Sequence, residues 1–165
     1  MGYIHTELIL QTLQDMYKFL SIFLFIQCLS AIPGSAIAQE GSVKSFALLV
    51  HDYDEAIEFY TEKLGFELIS DQKFGENMRW VSLKMAGSDI QISLGKASEE
   101  DAPYVGKQGG ISYPFFVITA KDVQQVYEKM SARGVQFINP PEQRPWGLGA
   151  LLEDLYGNKI YLQTE

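Results

Sequence analysis

Two stretches of this 165-residue chain carry the same order of elements, one over about residues 43–95 and one over about 111–163, joined by a loop at 96–110. In the first, Val43–Val50 is an apolar, β-rich run. A helix is expected next, because Tyr53, Ala56, Ile57, Tyr60 and Leu64 fall on one face of a 3.6-residue period. Asp52 or Asp54 is placed to cap its start, and Gly65 to end it in a left-handed turn. Three strands are predicted to follow, at 66–71, 78–85 and 90–94, punctuated by Gly75 and by Gly87-Ser88-Asp89. The second stretch repeats this with a strand at 111–119, a helix at 120–133 capped by Gly134, and strands at 135–138, 147–153 and 159–163. Overlay pairs Val50 with Ile118, Asp54 with Asp122, Gly65 with Gly134, Ile69 with Ile138, Gly87 with Gly157 and Ile90 with Ile160. The spacing drifts slowly along the overlay, as an old duplication would leave it. The expectation is an α+β domain built from two tandem βαβββ modules.

The residues ahead of the repeat read differently. Lys18 precedes the apolar run Phe19–Ile26, Pro33-Gly34 breaks it, and Ala36-Ile37-Ala38 closes it with small residues. These are the parts of a cleavable secretory signal. The run is shorter than the roughly 20 residues a membrane span needs. Residues 1–38 are therefore expected to be an N-terminal extension plus signal peptide, with Met16 the natural start, and 39–165 the folded domain. An uncleaved anchor is the alternative. Export to the periplasm or outside the cell is expected, with no stable membrane insertion after cleavage. The sole cysteine, Cys28, falls in that signal, so the domain holds no disulfide, thiol nucleophile or cysteine-rich zinc site. A formal charge of −8 and no basic stripe exclude nucleic acid as a partner.

The run from Leu49-Val50-His51-Asp52-Tyr53-Asp54-Glu55-Ala56-Ile57-Glu58-Phe59-Tyr60 through Lys63-Leu64-Gly65-Phe66 resembles the opening of the vicinal oxygen chelate superfamily. Glu153-Asp154-Leu155-Tyr156-Gly157-Asn158-Lys159-Ile160 is similar to its closing hairpin. That superfamily includes glyoxalases, extradiol dioxygenases, fosfomycin-resistance enzymes and bleomycin-binding proteins. The resemblance implies that the modules form an open, cupped mixed β-sheet with the helices on its outer face. Its motifs specify fold better than activity.

Period-2 alternation assigns strand side chains to faces. One face is apolar and suits the helices. The other collects Ser45, Trp80, Ser82, Gln91 and Ser93 from the first module. From the second it collects Tyr113, Phe115, Tyr161 and Gln163. Such a mixed aromatic and polar wall suits a small organic ligand. Arg144 and Trp146 stand before the seventh strand, where they are placed to meet an anionic or planar group at the rim.

Metal-dependent members of the superfamily hold their ion with four strand residues, usually His, Glu or Gln. The resemblance puts Ser45, Gln91, Tyr113 and Tyr161 at those positions, and only Gln91 is an ordinary ligand. Three protonated hydroxyls and one amide supply no charge to offset a divalent ion's lost hydration. His51 is a turn residue on the wrong register, and no nucleotide-binding glycine loop, hydrolase elbow or zinc spacing appears. No metal and no other cofactor is expected. The leading expectation is a metal-free small-molecule-binding protein, similar to bleomycin-resistance proteins, that sequesters its ligand in the cell envelope and forms a homodimer. One alternative is a glyoxalase-like lyase or isomerase, either metal-independent with Tyr113 or Tyr161 as general acid or metal-bound through atypical ligands. Another is a structural dimerisation domain with a sealed cup.

Overall fold

The computed structural model describes residues 41–165 apart from 76, 77 and 111, so the signal-like stretch and its cleavage position lie outside the described residues. Module one runs β1 (Ser45–Val50), α1 (Tyr53–Glu58), a π-helical turn (Phe59–Lys63), β2 (Glu67–Lys73), β3 (Arg79–Lys84) and β4 (Gln91–Lys96). Module two runs β5 (Phe116–Ala120), α2 (Val123–Ala132), β6 (Glu142–Arg144), β7 (Gly147–Glu153) and β8 (Lys159–Thr164). A single 3-10 turn, Ala102–Tyr104, lies in the connection. The fold is α+β, with two four-stranded mixed sheets ordered β1-β4-β3-β2 and β5-β8-β7-β6. In each, the first strand runs parallel to the last, and the helix supplies the crossover that parallel neighbours need.

Alternation on these strands sorts as expected. Leu48, Val50, Val81, Leu83, Ile92 and Leu94 are buried on one face of the first sheet. Ile118, Leu152, Ile160 and Leu162 do the same for the second, and Ala56, Tyr60, Val123 and Met130 join them from the helices in one continuous core. Between the sheets no strand pairs with another, so side chains tie the modules together, rings of Phe46 and Phe66 against Phe115 and Phe116 and a set of polar contacts. Buried Asp154 anchors one of the polar contacts. One carboxylate oxygen accepts from the backbone N–H groups of Tyr156 and Asn158 at 2.9 and 2.8 Å. The other accepts from the Asn158 side chain at 2.8 Å and from the Tyr60 hydroxyl of module one at 2.7 Å. Asn158 Oδ1 in turn accepts from the Gln108 N–H at 2.8 Å. The Gln108 amide then donates to Ala47 O and accepts from Leu49 N–H, which closes the free edge of β1.

Four expected features came out differently. The fifth strand, predicted at 111–119, starts only at Phe116; Gly109 and Gly110 are both left-handed, and Pro114 has no N–H to give a ladder. The strand predicted at 135–138 is reduced to one bridge, Phe137 to Leu152, and pairing with β7 resumes at Glu142. Pro140 and Pro141 remove two consecutive donors between them. Arg144 and Trp146, expected ahead of the seventh strand at the rim, belong to a β6–β7 hairpin that turns at Pro145-Trp146. The first helix is capped by Asp52, whose side chain accepts from the N–H groups of Asp54 and Glu55, while Asp122 caps α2. Asp52, not Asp54, is thus the counterpart of Asp122. The first helical segment, from cap to terminating glycine, is one residue longer, and the π-helical turn absorbs that residue. Gly65 and Gly134 end the helices at φ 81 and 84, as expected.

Candidate functional site

Strand register decides which candidate side chains meet. Ser45 lies beside Gln91, and Ser82 beside Ser93, on the face of the first sheet away from the core. Ser82 is 1% exposed, and the Ser93 hydroxyl is buried with no hydrogen-bond partner. Trp80 stands on the same face, 53% exposed. On the second sheet, Tyr161 sits between Val117 and Leu151, and Gln163 lies opposite Gly149. Tyr161 is seated over Gly149, where a Cβ would overlap the phenol ring. The Trp146 indole N–H donates a long hydrogen bond to the Tyr161 hydroxyl at 3.4 Å, and Trp146 itself is exposed. Arg144 shares this face and is paired with Glu142 at 2.7 Å.

Two candidates stand apart. Tyr113 precedes β5, is 75% exposed, and has no hydrogen-bond partner among the described residues. Phe115 packs edge-on against Phe46 and Phe116 at the seam between modules. The structure therefore brings Ser45 to Gln91 and Tyr161 to Trp146, but joins Tyr113 to none of them. Because the caps equate Asp52 with Asp122, the counterpart of Ser45 is Phe115, which pairs with Lys159 through its N–H at 2.7 Å.

Strands β1, β4, β5 and β8 contain no Asp, Glu, His or Cys. Among the described residues, no group of three or more such side chains could hold an ion. Neutral hydroxyls and one amide do not fit a divalent metal.

Ionisable groups with displaced pKa values lie elsewhere. Burial, and then the adjacent Asp154 carboxylate, push the Tyr60 phenol well above its ordinary value. Burial also raises Tyr156, whose hydroxyl bridges the N–H and carbonyl of Asp52 and whose ring meets His51 edge-on. Backbone N–H groups of Glu55 and Asp54 lower Asp52. The Arg79 guanidinium lowers Asp71, its bidentate partner at 2.8 Å. These are joints of the scaffold. Sequence reasoning placed Asp154 and Asn158 in a family hairpin but missed that they lock the modules; Gln108 carries no sequence signal at all.

A cavity of about 550 Å³ opens elsewhere, at the seam where β1 and β4 approach β5. Phe46, Phe66, Ile92, Phe116 and Ile118 line it, and none of the predicted ligand-binding residues does.

Residues 42–162 match the sequence profile of the glyoxalase/bleomycin resistance protein/dioxygenase superfamily. A protein of Shewanella frigidimarina (strain NCIMB 400), described as an uncharacterized protein, is 39% identical over 120 residues, covering 71% of this chain and 88% of its own. Among solved structures, UcmS2 superposes with TM-score 0.66 at 28% identity, over 74% of this chain and 97% of that one. TnmS3, described as an antibiotic binding protein from Streptomyces sp. CB03234, gives TM-score 0.63 at 29% identity, over 75% and 95%. With the paired βαβββ modules and the closing Asp154–Asn158 hairpin in place, the chain belongs to the glyoxalase/bleomycin resistance protein/dioxygenase superfamily.

Proposed function

We propose that this protein binds a small organic molecule without a metal and sequesters it rather than transforming it. The observation that carries this is the make-up of β1, β4, β5 and β8, whose outward faces offer serine, glutamine, tyrosine and threonine but no carboxylate or imidazole. A neutral polar wall with aromatic neighbours recognises by hydrogen bonding and stacking. The likeness to an antibiotic binding protein supports the same ligand class. Trp80, Val117 and Trp146 remain about half or more exposed on these faces, which favours closure by a second copy of the chain. The signal-like N-terminus supports an action outside the cytoplasm.

The deciding experiment is native mass spectrometry and elemental analysis of protein purified from its own compartment. A retained organic molecule with no stoichiometric metal is the expected result. One metal per chain that Gln91→Ala removes would overturn the proposal in favour of a glyoxalase-like enzyme.

A further inference from the structure

The seam cavity is built unlike the outward sheet faces. Its walls are the rings of Phe46, Phe66 and Phe116 and the side chains of Met85, Ile92 and Ile118. It continues into a second hollow of about 220 Å³, which shares Met85, Ala86, Ile118 and Thr119 with the first. Leu64, Val126 and Met130 line this extension, and Lys129 and Arg133 stand at its border. The two hollows adjoin along these shared residues to form one channel, mixed in its first part, apolar in its second, with the two cations beside the second.

Two cations stand together beside the second hollow. Lys129 and Arg133 are four residues apart on α2 and its C-cap, so they share a face one turn apart. Lys129 donates to the neutral Gln125 amide, and Arg133 has no ion pair among the described residues. Glu165 borders the first hollow, and its N–H donates to the carbonyl of Ala120, which lines the second. An anionic head is drawn to Lys129 and Arg133, which outnumber the single Glu165 carboxylate, while an apolar tail fills the space between the phenylalanines. Among the described residues no metal-binding cluster lines the channel, and no imidazole or thiol stands beside its Ser88 and Thr119 hydroxyls. We propose that it is a second binding site, for a single-chain amphiphile with an anionic head such as a free long-chain carboxylate. It touches none of the candidate ligand-binding residues and meets the outward sheet faces only at Val117 and Thr119, so a change at Tyr161 separates the two sites.

Isothermal titration of the full-length protein with dodecanoate below its micellar concentration tests this. One dodecanoate per chain should bind, and dodecyltrimethylammonium should bind far more weakly. Exchanging both cations (Lys129→Gln with Arg133→Gln) should weaken dodecanoate about tenfold or more, the worth of a charge-assisted hydrogen bond, and leave dodecanol unaffected. Ala86→Trp and Thr119→Trp, at two exposed positions shared by both hollows, should each plug the channel and abolish binding with the fold intact by melting. Tyr161→Phe should leave dodecanoate binding unchanged. Absence of dodecanoate binding, equal binding of the cationic amphiphile, or unchanged binding in a folded plug variant would each overturn the proposal.

Discussion

Tyr60 shows how one side chain couples burial, pH and the union of the modules. Its ring is fully buried, and its hydroxyl donates across the seam to Asp154 at 2.7 Å. Removing that donor by Tyr60→Phe should cost about 1.5–3 kcal/mol, because the acceptor is a carboxylate. The phenol's folded pKa is raised above its ordinary value of 10.0, by burial first and Asp154 second. The native state thus holds this proton more tightly than the unfolded chain does. Its contribution is complete below about pH 10 and is lost as pH rises beyond it toward the folded value. Urea denaturation from pH 8 to 11 should show a steeper alkaline decline in the wild type than in Tyr60→Phe. Tyr156, raised in the same direction by burial, should leave the variant some slope of its own. Parallel curves would show that the phenol is not buried beside the carboxylate. Gly149 offers a second residue-scale test. Its missing Cβ leaves room for Tyr161, so Gly149→Ala should displace that ring, cost about 1–3 kcal/mol of overpacking, and shift the fluorescence of neighbouring Trp146.

Among the elements, the helix ends were the most legible in the sequence, because a glycine at the end of an apolar stripe has one conformational use there. Gly134 at φ 84 isolates that use, since a Cβ added at this position would meet no atom within 4 Å. Gly134→Val should therefore lower stability by about 1–2 kcal/mol through backbone conformation alone. A denaturation midpoint and slope equal to wild type would show that no left-handed residue is needed there. Strand ends were less legible. Apolar alternation continues through Val135–Ile138 and through Tyr113, but a strand also needs donors facing a partner. Pro114 and the Pro140-Pro141 pair interrupt that supply without disturbing the hydrophobic pattern. The π-helical turn was hidden for a related reason: an extra residue inside a helix leaves the stripe nearly intact while shifting everything before it by one position. The caps put Ser45 opposite Phe115, two residues on from the Tyr113 that overlaying Val50 on Ile118 implied, and the turn accounts for one of the two. The alternation itself was sound, so Ser45, Ser82, Gln91, Ser93 and Tyr161 share faces as the pattern implied.

For the whole molecule, the question is what makes two modules with unpaired sheets behave as one body. The apolar core is continuous across both, yet apolar contact is not directional and does not fix their relative register. Asp154 does, because four donors from three residues converge on its two oxygens, one of them from the other module. Such a carboxylate is costly to bury and costlier to remove, since each donor then faces a dry interior without a partner. Asp154→Ala should therefore destabilise the domain by on the order of 3–5 kcal/mol. The loss should fall on both modules at once, because the shared core makes their unfolding a single transition. Calorimetry with tryptophan fluorescence would follow this, Trp80 reporting on the first module and Trp146 on the second. Wild type and variant should each melt in one step, the variant well below the wild type, with the two tryptophans moving together in single-tryptophan versions. If the variant melted in two steps, with only Trp146 affected, the hairpin would be a local clasp of module two and the seam would be held by its rings alone.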